Sequence, residues 1–298
     1  MTDDRSGGVR GPDRQTRDDR AQGQFPPLKE ILARHRLSPR RALGQNFLLD
    51  PAIARKIARA AGDLTDATVL EIGPGPGGLT RALLIAGAKR VLAIEKDARC
   101  LPALAELVDA AQGRLQLIEA DALEIDEARL ARGRLKVVAN LPYNIATPLL
   151  IKWLKTIDRF DDLTLMFQKE VALRITAVPG NRVYGRLSVM CQWLCEVKRL
   201  FDLKPNAFVP PPKVTSTLVK LTPRPAPLYP TDWDSLERVT AAAFGQRRKM
   251  LRSALKTLFT DPGPVLERAG LPGSARAESL GVGEFGRLAN AYRAAQAD

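Results

Sequence analysis

Apolar positions along the chain fall into two rhythms. Between residues 50 and 221, short runs rich in valine, isoleucine and leucine alternate with stretches whose apolar side chains recur every three or four positions. The first rhythm marks strands buried on both faces, and the second marks amphipathic helices. Strands are predicted at 68–72, 90–95, 115–120, 136–139, 163–168 and 214–221, with helices at 51–61, 79–86 and 98–111. Asp50 is placed to cap the first helix, and Pro51 occupies its first turn, where a missing N–H costs nothing. Strands alternating with helices predict an α/β fold: a parallel, doubly wound, Rossmann-like sheet. Four prolines in Thr222–Pro230 suit a stiff linker. Beyond it, apolar positions at helical spacing from Leu236 to Phe259 and short helical patterns after them predict a small helical domain. The expected division is a sheet domain at 25–222, a linker at 223–230 and a helical domain at 231–298.

Charge sharpens this picture. The 298 residues carry 46 Lys and Arg against 33 Asp and Glu, a net +13. Residues 1–24 are almost devoid of apolar side chains, and their five Asp and five Arg cancel, so a disordered tail is expected. Residues 25–60 hold Lys29, Arg34, Arg36, Arg40, Arg41, Arg55, Lys56 and Arg59 against only Glu30 and Asp50. A second basic block contains Arg247, Arg248, Lys249, Arg252 and Lys256, expected on a helix of the small domain. Two such blocks could line one groove, and polyanion binding is the usual reason for such fields, because each phosphate that is neutralised releases counterions. No apolar run approaches the ~20 residues of a membrane span. The N-terminus lacks a secretory pattern, and three cysteines do not make a disulfide scaffold, so a cytoplasmic location is expected. His35 is the sole histidine, which argues against triad hydrolases and His-based metal sites; no metal is expected.

The segment Glu71-Ile-Gly-Pro-Gly-Pro-Gly-Gly78 sits between a predicted strand and helix. Gly73, Gly75 and Gly78 fit the G-x-G-x-x-G fingerprint, which lets backbone approach a ligand closely. Glu95, at the tip of the next strand, is placed to accept protons from two ribose hydroxyls. These features imply an adenosine-bearing cofactor at the carboxyl ends of the strands. They suit NAD and S-adenosylmethionine equally.

A second motif bears on the chemistry. Asn140, Leu141, Pro142 and Tyr143 follow a strand directly, on the same rim as the glycine turn. Adenine N6 is a poor nucleophile because its lone pair is delocalised into the ring. The Asn140 carboxamide oxygen and the Leu141 carbonyl, each accepting one N6 proton, can draw that nitrogen toward an attacking geometry. Pro142 fixes the local backbone, and Tyr143 offers a face on which an unpaired base can stack. Orientation and electrostatics then supply the rate, with no base required before attack.

Taken together, these motifs resemble the adenine-N6 dimethyltransferases of ribosomal RNA. The likeness covers residues 38–260: Leu43-Gly-Gln-Asn-Phe-Leu48, Glu71-Ile-Gly-Pro-Gly75, Ile94-Glu95, Asp121-Ala122, Asn140-Leu-Pro-Tyr-Asn-Ile145, Gln168-Lys-Glu170, Tyr184-Gly-Arg-Leu-Ser-Val189, Phe208-Val-Pro-Pro-Pro-Lys-Val214 and Gln246-Arg-Arg-Lys249. The resemblance implies a class I methyltransferase fold and S-adenosylmethionine as methyl donor. It implies two adjacent adenines in the 3′-terminal hairpin loop of 16S rRNA, within 30S precursor particles, as acceptors. Asn46, Leu48 and Gly73 would surround the methionine end of the donor, with Gly75 in the same turn. Glu95 would hold the ribose, Asp121 and Ala122 the cofactor adenine, and Asn140 would bridge cofactor and target. Tyr143 and Phe208 would clamp the flipped base. Arg247, Arg248, Lys249 and Arg252 would hold rRNA phosphates. Cys191 and Cys195, one helical turn apart, read as buried small residues. The Tyr184–Val189 and Phe208–Val214 segments favour the small-subunit branch over the 23S-directed, macrolide-resistance branch. An alternative is an assembly factor that binds pre-30S particles and whose methylation is secondary, a role the basic patches fit equally well; a monomer is expected.

Overall fold

The computed structural model describes residues 25–40, 43–131 and 133–297, so the tail expected at 1–24 lies outside the described residues, as does Arg41. Seven strands make one sheet: β2 (Thr68–Ile72), β3 (Arg90–Glu95), β4 (Leu115–Glu119), β5 (Leu135–Ala139), β6 (Phe160–Gln168), β7 (Cys195–Leu203) and β9 (Ser216–Pro223). Their order is β4-β3-β2-β5-β6-β9-β7. A separate antiparallel pair joins β1 (Phe47–Leu48) to β8 (Phe208–Val209).

Strands β2 to β6 run parallel, whereas β9 pairs antiparallel with both β6 and β7. The sheet is therefore mixed, not wholly parallel as its alternating pattern predicts. The pattern does not predict strand β7, and the reason is its position: an edge strand carrying Glu196, Lys198 and Arg199 lacks the continuous apolar run of a central one. Cys191 ends up in helix and Cys195 opens this strand, so they are not one helical turn apart, although both are buried.

Alternate residues of the strands face opposite sides. Leu70, Ile72, Leu92, Ile94, Val137 and Ala139 enter one core cluster, while Val69, Val91, Ala93 and Val138 enter another. Helices α2 (Pro51–Ala60), α3 (Gly78–Ile85) and α4 (Leu101–Ala110) cover the second face. Helices α5 (Tyr143–Leu154), α6 (Lys169–Thr176) and α7 (Arg186–Leu194) cover the first. Asp50 does cap α2, accepting from the Ala52 amide at 2.8 Å. The short helix α1 (Leu28–Arg34) lies against α4, where Glu106 takes Arg34 at 2.7 Å and His35 at 2.6 Å.

The C-terminal helices α8 (Trp233–Gly245), α9 (Leu251–Ala254), α10 (Gly263–Arg268) and α11 (Val282–Ala297) extend the first core cluster without a break. Phe244 stacks on Phe285 with ring centroids 5.3 Å apart, and the Tyr184 hydroxyl donates to the Leu280 carbonyl at 2.9 Å. The proline-rich segment is tied down where it passes Trp193: Leu228 N–H donates to the Trp193 carbonyl, and the indole N–H donates to the Tyr229 carbonyl, each at 2.8 Å. Arg247, Arg248 and Lys249 occupy the turn between α8 and α9 instead of a helix, because α8 ends at Gly245 and Gln246 leaves helical geometry.

Candidate active site

Four strand ends converge. Strand order reverses between β2 and β5, the place where open α/β sheets leave a crevice beyond their carboxyl ends. Into that crevice β2 delivers the glycine turn, β3 delivers Glu95, β4 delivers Asp121 and Ala122, and β5 delivers Asn140 to Tyr143. All of them line one pocket that opens toward solvent, together with Leu43 to Leu48 from the N-terminal segment.

The glycine turn depends on conformations other residues resist. Gly73 and Gly75 have φ of 66° and 55°. At Gly78, the first residue of α3, a Cβ would lie 2.2 Å from the Leu48 carbonyl oxygen, so only glycine lets β1 cross there. Arg81, a buried side chain that the sequence motifs do not mark, rivets the turn by donating to the Pro76 and Gly77 carbonyls at 2.8 and 3.0 Å. Its signal is weak, since one arginine in an apolar helix resembles a surface residue.

Glu95 is only 5% exposed. Its carboxylate accepts from the Gly75 amide at 2.9 Å and the Asp97 amide at 2.7 Å. Burial pushes its pKa up, and these two N–H groups pull it back. Each oxygen keeps a further lone pair, so ribose hydroxyls can still be received. Asp121 pairs with Lys96 at 2.6 Å and accepts from the Leu123 amide at 2.9 Å; chiefly the Lys96 contact holds its carboxyl below the usual range. At the floor of the pocket, Glu71 is buried and has one carboxylate oxygen without a partner. Desolvation, with the nearby Glu95 charge adding to it, raises its pKa to about 8. Glu71 is thus a neutral acid near pH 7.

The N-terminal segment forms one wall. Asn140 Nδ2 donates to the Asn46 carbonyl at 3.1 Å, which leaves Asn140 Oδ1 as the acceptor for an incoming amine. Gln45 Nε2 donates to Asp97 at 2.8 Å, and Arg99 holds the same carboxylate at 2.6 Å while reaching the Ser38 carbonyl. Sequence alone does not single out Gln45, Asp97 or Arg99, although Gln45 lies inside a motif that it does. Leu141 is buried in the pocket wall, and Pro142 provides the N-terminal cap position of α5. Tyr143, half-buried, lines the cavity.

Phe208 differs from expectation. It is 1% exposed and joins the core cluster containing Leu79, Met166 and Leu218, outside the pocket wall. Pairing of β8 with β1 sets Phe208 opposite Leu48 and turns its ring inward, while the next residue, Val209, faces solvent. Among the basic residues, Arg248, Lys249 and Arg252 are exposed, but Arg247 is held by Glu278 and two backbone carbonyls. In the first basic block Arg34 is engaged by Glu106, and Lys56 lies 4.0 Å over the Phe201 ring. Among the described residues no group of His, Cys, Asp and Glu could hold a metal ion, and no helix is long and apolar enough to cross a membrane.

Comparison with known proteins agrees with this geometry. Residues 36–293 match the family model described as ribosomal RNA adenine dimethylase. The chain is similar to the ribosomal RNA small subunit methyltransferase A of Rhodospirillum rubrum, with 58% identity over 271 residues, 91% of this chain and 94% of that one. Its counterpart of the same name in Allorhizobium ampelinum is 59% identical over 270 residues, 89% of this chain and 97% of that one. Among solved structures, a dimethyladenosine transferase from Plasmodium falciparum superposes with a TM-score of 0.70 at 29% identity, covering 80% of this chain and 94% of that one. The 23S rRNA methyltransferase ErmE superposes with a TM-score of 0.64 at 26% identity, covering 83% of this chain and all of that one. With one family model spanning nearly all of the described residues and such identity along the same stretch, the chain belongs to the ribosomal RNA adenine dimethylase family.

Proposed function

We propose that the chain dimethylates N6 of two adjacent adenosines in the 3′-terminal hairpin loop of 16S rRNA, with S-adenosylmethionine as donor. It does so as a cytoplasmic monomer on 30S precursor particles. The observation that carries this reading is the convergence of the glycine turn, Glu95, Asp121 and Asn140–Tyr143 on one pocket. The small-subunit acceptor is favoured over the 23S one because the relatives named for the small subunit are 58–59% identical, against 26% for ErmE.

The donor, when bound, supplies an electrophilic methyl on a sulfonium sulfur. Glu95 would accept from its ribose hydroxyls, Asp121 would accept from its adenine amine beside the Ala122 backbone, and Gly73, Asn46 and Leu48 would enclose its methionine end. The pocket fits this group on its own terms: a buried carboxylate at the end of β3 keeps lone pairs free for hydroxyl donors, and a glycine-lined turn leaves no Cβ in the way. Asn140 Oδ1 and the Leu141 carbonyl accept the two N6 protons of the target, turning its lone pair out of the ring. Pro142 fixes that carbonyl, and Tyr143 supplies the stacking face. Phe208, buried in the core opposite Leu48, is given no role at the base. Exposed Arg248, Lys249 and Arg252 bind rRNA phosphate.

Tritium transfer from labelled donor to unmethylated 30S particles, followed by nucleoside analysis, tests the reading. Dimethyladenosine in 16S rRNA is expected. Label confined to 50S precursors would overturn the choice of acceptor. An Asn140→Ala variant is expected to bind particles while transferring nothing, which separates catalysis from any role in small-subunit assembly.

A further inference from the structure

Tyr143 is the first residue of α5, immediately after the Asn140-Leu-Pro142 turn, and its ring lines the pocket. Helical side chains lean back over the turn before them, and at a helix's first position there is no such turn, so the ring's attitude is set by contacts from elsewhere. That support comes from 73 residues further along the chain. The Tyr143 hydroxyl and the Ser216 hydroxyl are hydrogen-bonded at 2.6 Å. Ser216 is completely buried at the start of β9, where its backbone is in register with Gln168 of β6 on one side and Leu203 of β7 on the other. The next residue, Thr217, donates to Asp202 at 2.8 Å, and Asp202 holds Lys169 at 2.7 Å. The strand's opening residues are therefore pinned between two neighbours, which fixes the backbone from which the Ser216 hydroxyl reaches Tyr143.

We propose that Ser216 is a positioning residue for methyl transfer: it fixes the Tyr143 ring, through their hydroxyl pair, in the attitude that receives the extruded adenine. This rests on the function proposed above. Burial raises the Tyr143 pKa, so the phenol stays protonated and the pair stays hydrogen-bonded across the working pH range. A rigid ring is a better platform than a free one, because a base stacked at the wrong tilt carries N6 away from Asn140. Without Ser216 Oγ, the Tyr143 hydroxyl is left to seek another partner, and the ring turns with it.

The full-length chain and its Ser216→Ala, Tyr143→Phe and doubly substituted forms, assayed on unmethylated 30S particles, provide the test. Binding of S-adenosylhomocysteine is followed by calorimetry alongside. Ser216→Ala is expected to lower kcat about tenfold, equivalent to about 1.4 kcal/mol of lost orientation in the transition state. KM for particles and affinity for S-adenosylhomocysteine should stay at wild-type values. Tyr143→Phe should lose a similar factor. The double variant, which leaves no hydroxyl orphaned, should be no slower than the slower single variant. Wild-type kcat in Ser216→Ala, or single losses that multiply in the double variant, would overturn the assignment. A wild-type protein that methylates neither 30S nor 50S particles would instead overturn the proposed function, and the assignment would fall with it.

Discussion

The Arg247 guanidinium donates to the Glu278 carboxylate at 3.0 Å and to the Tyr184 and Asn181 carbonyls at 2.6 and 3.1 Å. It fastens the turn after α8 to the loop before α7 and to the approach to α11. A cation so engaged has little left for phosphate, whereas its neighbours Arg248 and Lys249 face solvent. Arg247→Ala is therefore expected to destabilise the fold by about 1–3 kcal/mol, read by urea unfolding. Replacing Arg248 and Lys249 with alanine should leave stability alone and flatten the salt dependence of RNA binding by about one unit of slope for each phosphate no longer neutralised. A slope that responds to Arg247 and not to the other two would place the RNA surface elsewhere.

Tyr143 and Phe208 should separate in the same way. Tyr143→Ala is expected to weaken binding of the target loop by ~1–3 kcal/mol, with S-adenosylhomocysteine affinity intact. Phe208→Ala, by contrast, empties a fully buried core site and should cost about 3–5 kcal/mol of folding free energy. Unchanged stability in the Phe208 variant would show that its ring leaves the core readily, contrary to its place beneath β1.

Glu95→Gln tests the donor site. A glutamine keeps the size but turns an NH2 toward the Gly75 or Asp97 amide, donor against donor. Loss of about 1.5–3 kcal/mol in S-adenosylhomocysteine affinity is expected, the range for hydrogen bonds to a charged group. Calorimetry checks it, and wild-type affinity would remove Glu95 from the ribose site.

Glu71 gives stability a pH dependence whose sign is fixed. Its folded pKa, about 8, lies above the ordinary 4.5. The folded protein therefore holds a proton that the unfolded chain releases between those values. Stability from this group is complete below pH 4.5 and is lost as pH rises through about 8. The slope is about 1.4 kcal/mol per pH unit within that window. Thermal unfolding from pH 5 to 9 should show Tm falling with pH more steeply in wild type than in Glu71→Gln. Parallel curves would mean that Glu71 is charged in the folded state.

The strand tips are readable because of where they stand. A central parallel strand must be apolar on both faces, so Thr68–Ile72 and Arg90–Glu95 stand out, and the first polar or glycine residue closing each run is one that lines the pocket. Asp50 announces its helix for a comparable local reason. What escapes reading depends on partners distant in the chain. Strand β7 hides behind its charges at the sheet edge. The tie between Tyr143 and Ser216 spans 73 residues, and neither residue type marks it. Arg247 looks like its basic neighbours because Glu278, the acid that claims it, lies 31 residues away. Phe208 is assigned by its motif, but the partner that turns its ring inward, Leu48, belongs to another part of the chain.

The pairing of Phe47 with Val209 and of Leu48 with Phe208 has a consequence for biosynthesis. One wall of the pocket, at Phe47 and Leu48, is stitched to a segment separated from it by most of the sheet's sequence. A ribosome must release residue 209 before that stitch can close. Every other residue lining the pocket lies at or before Ile145, so that wall is secured only after the whole lining has been made.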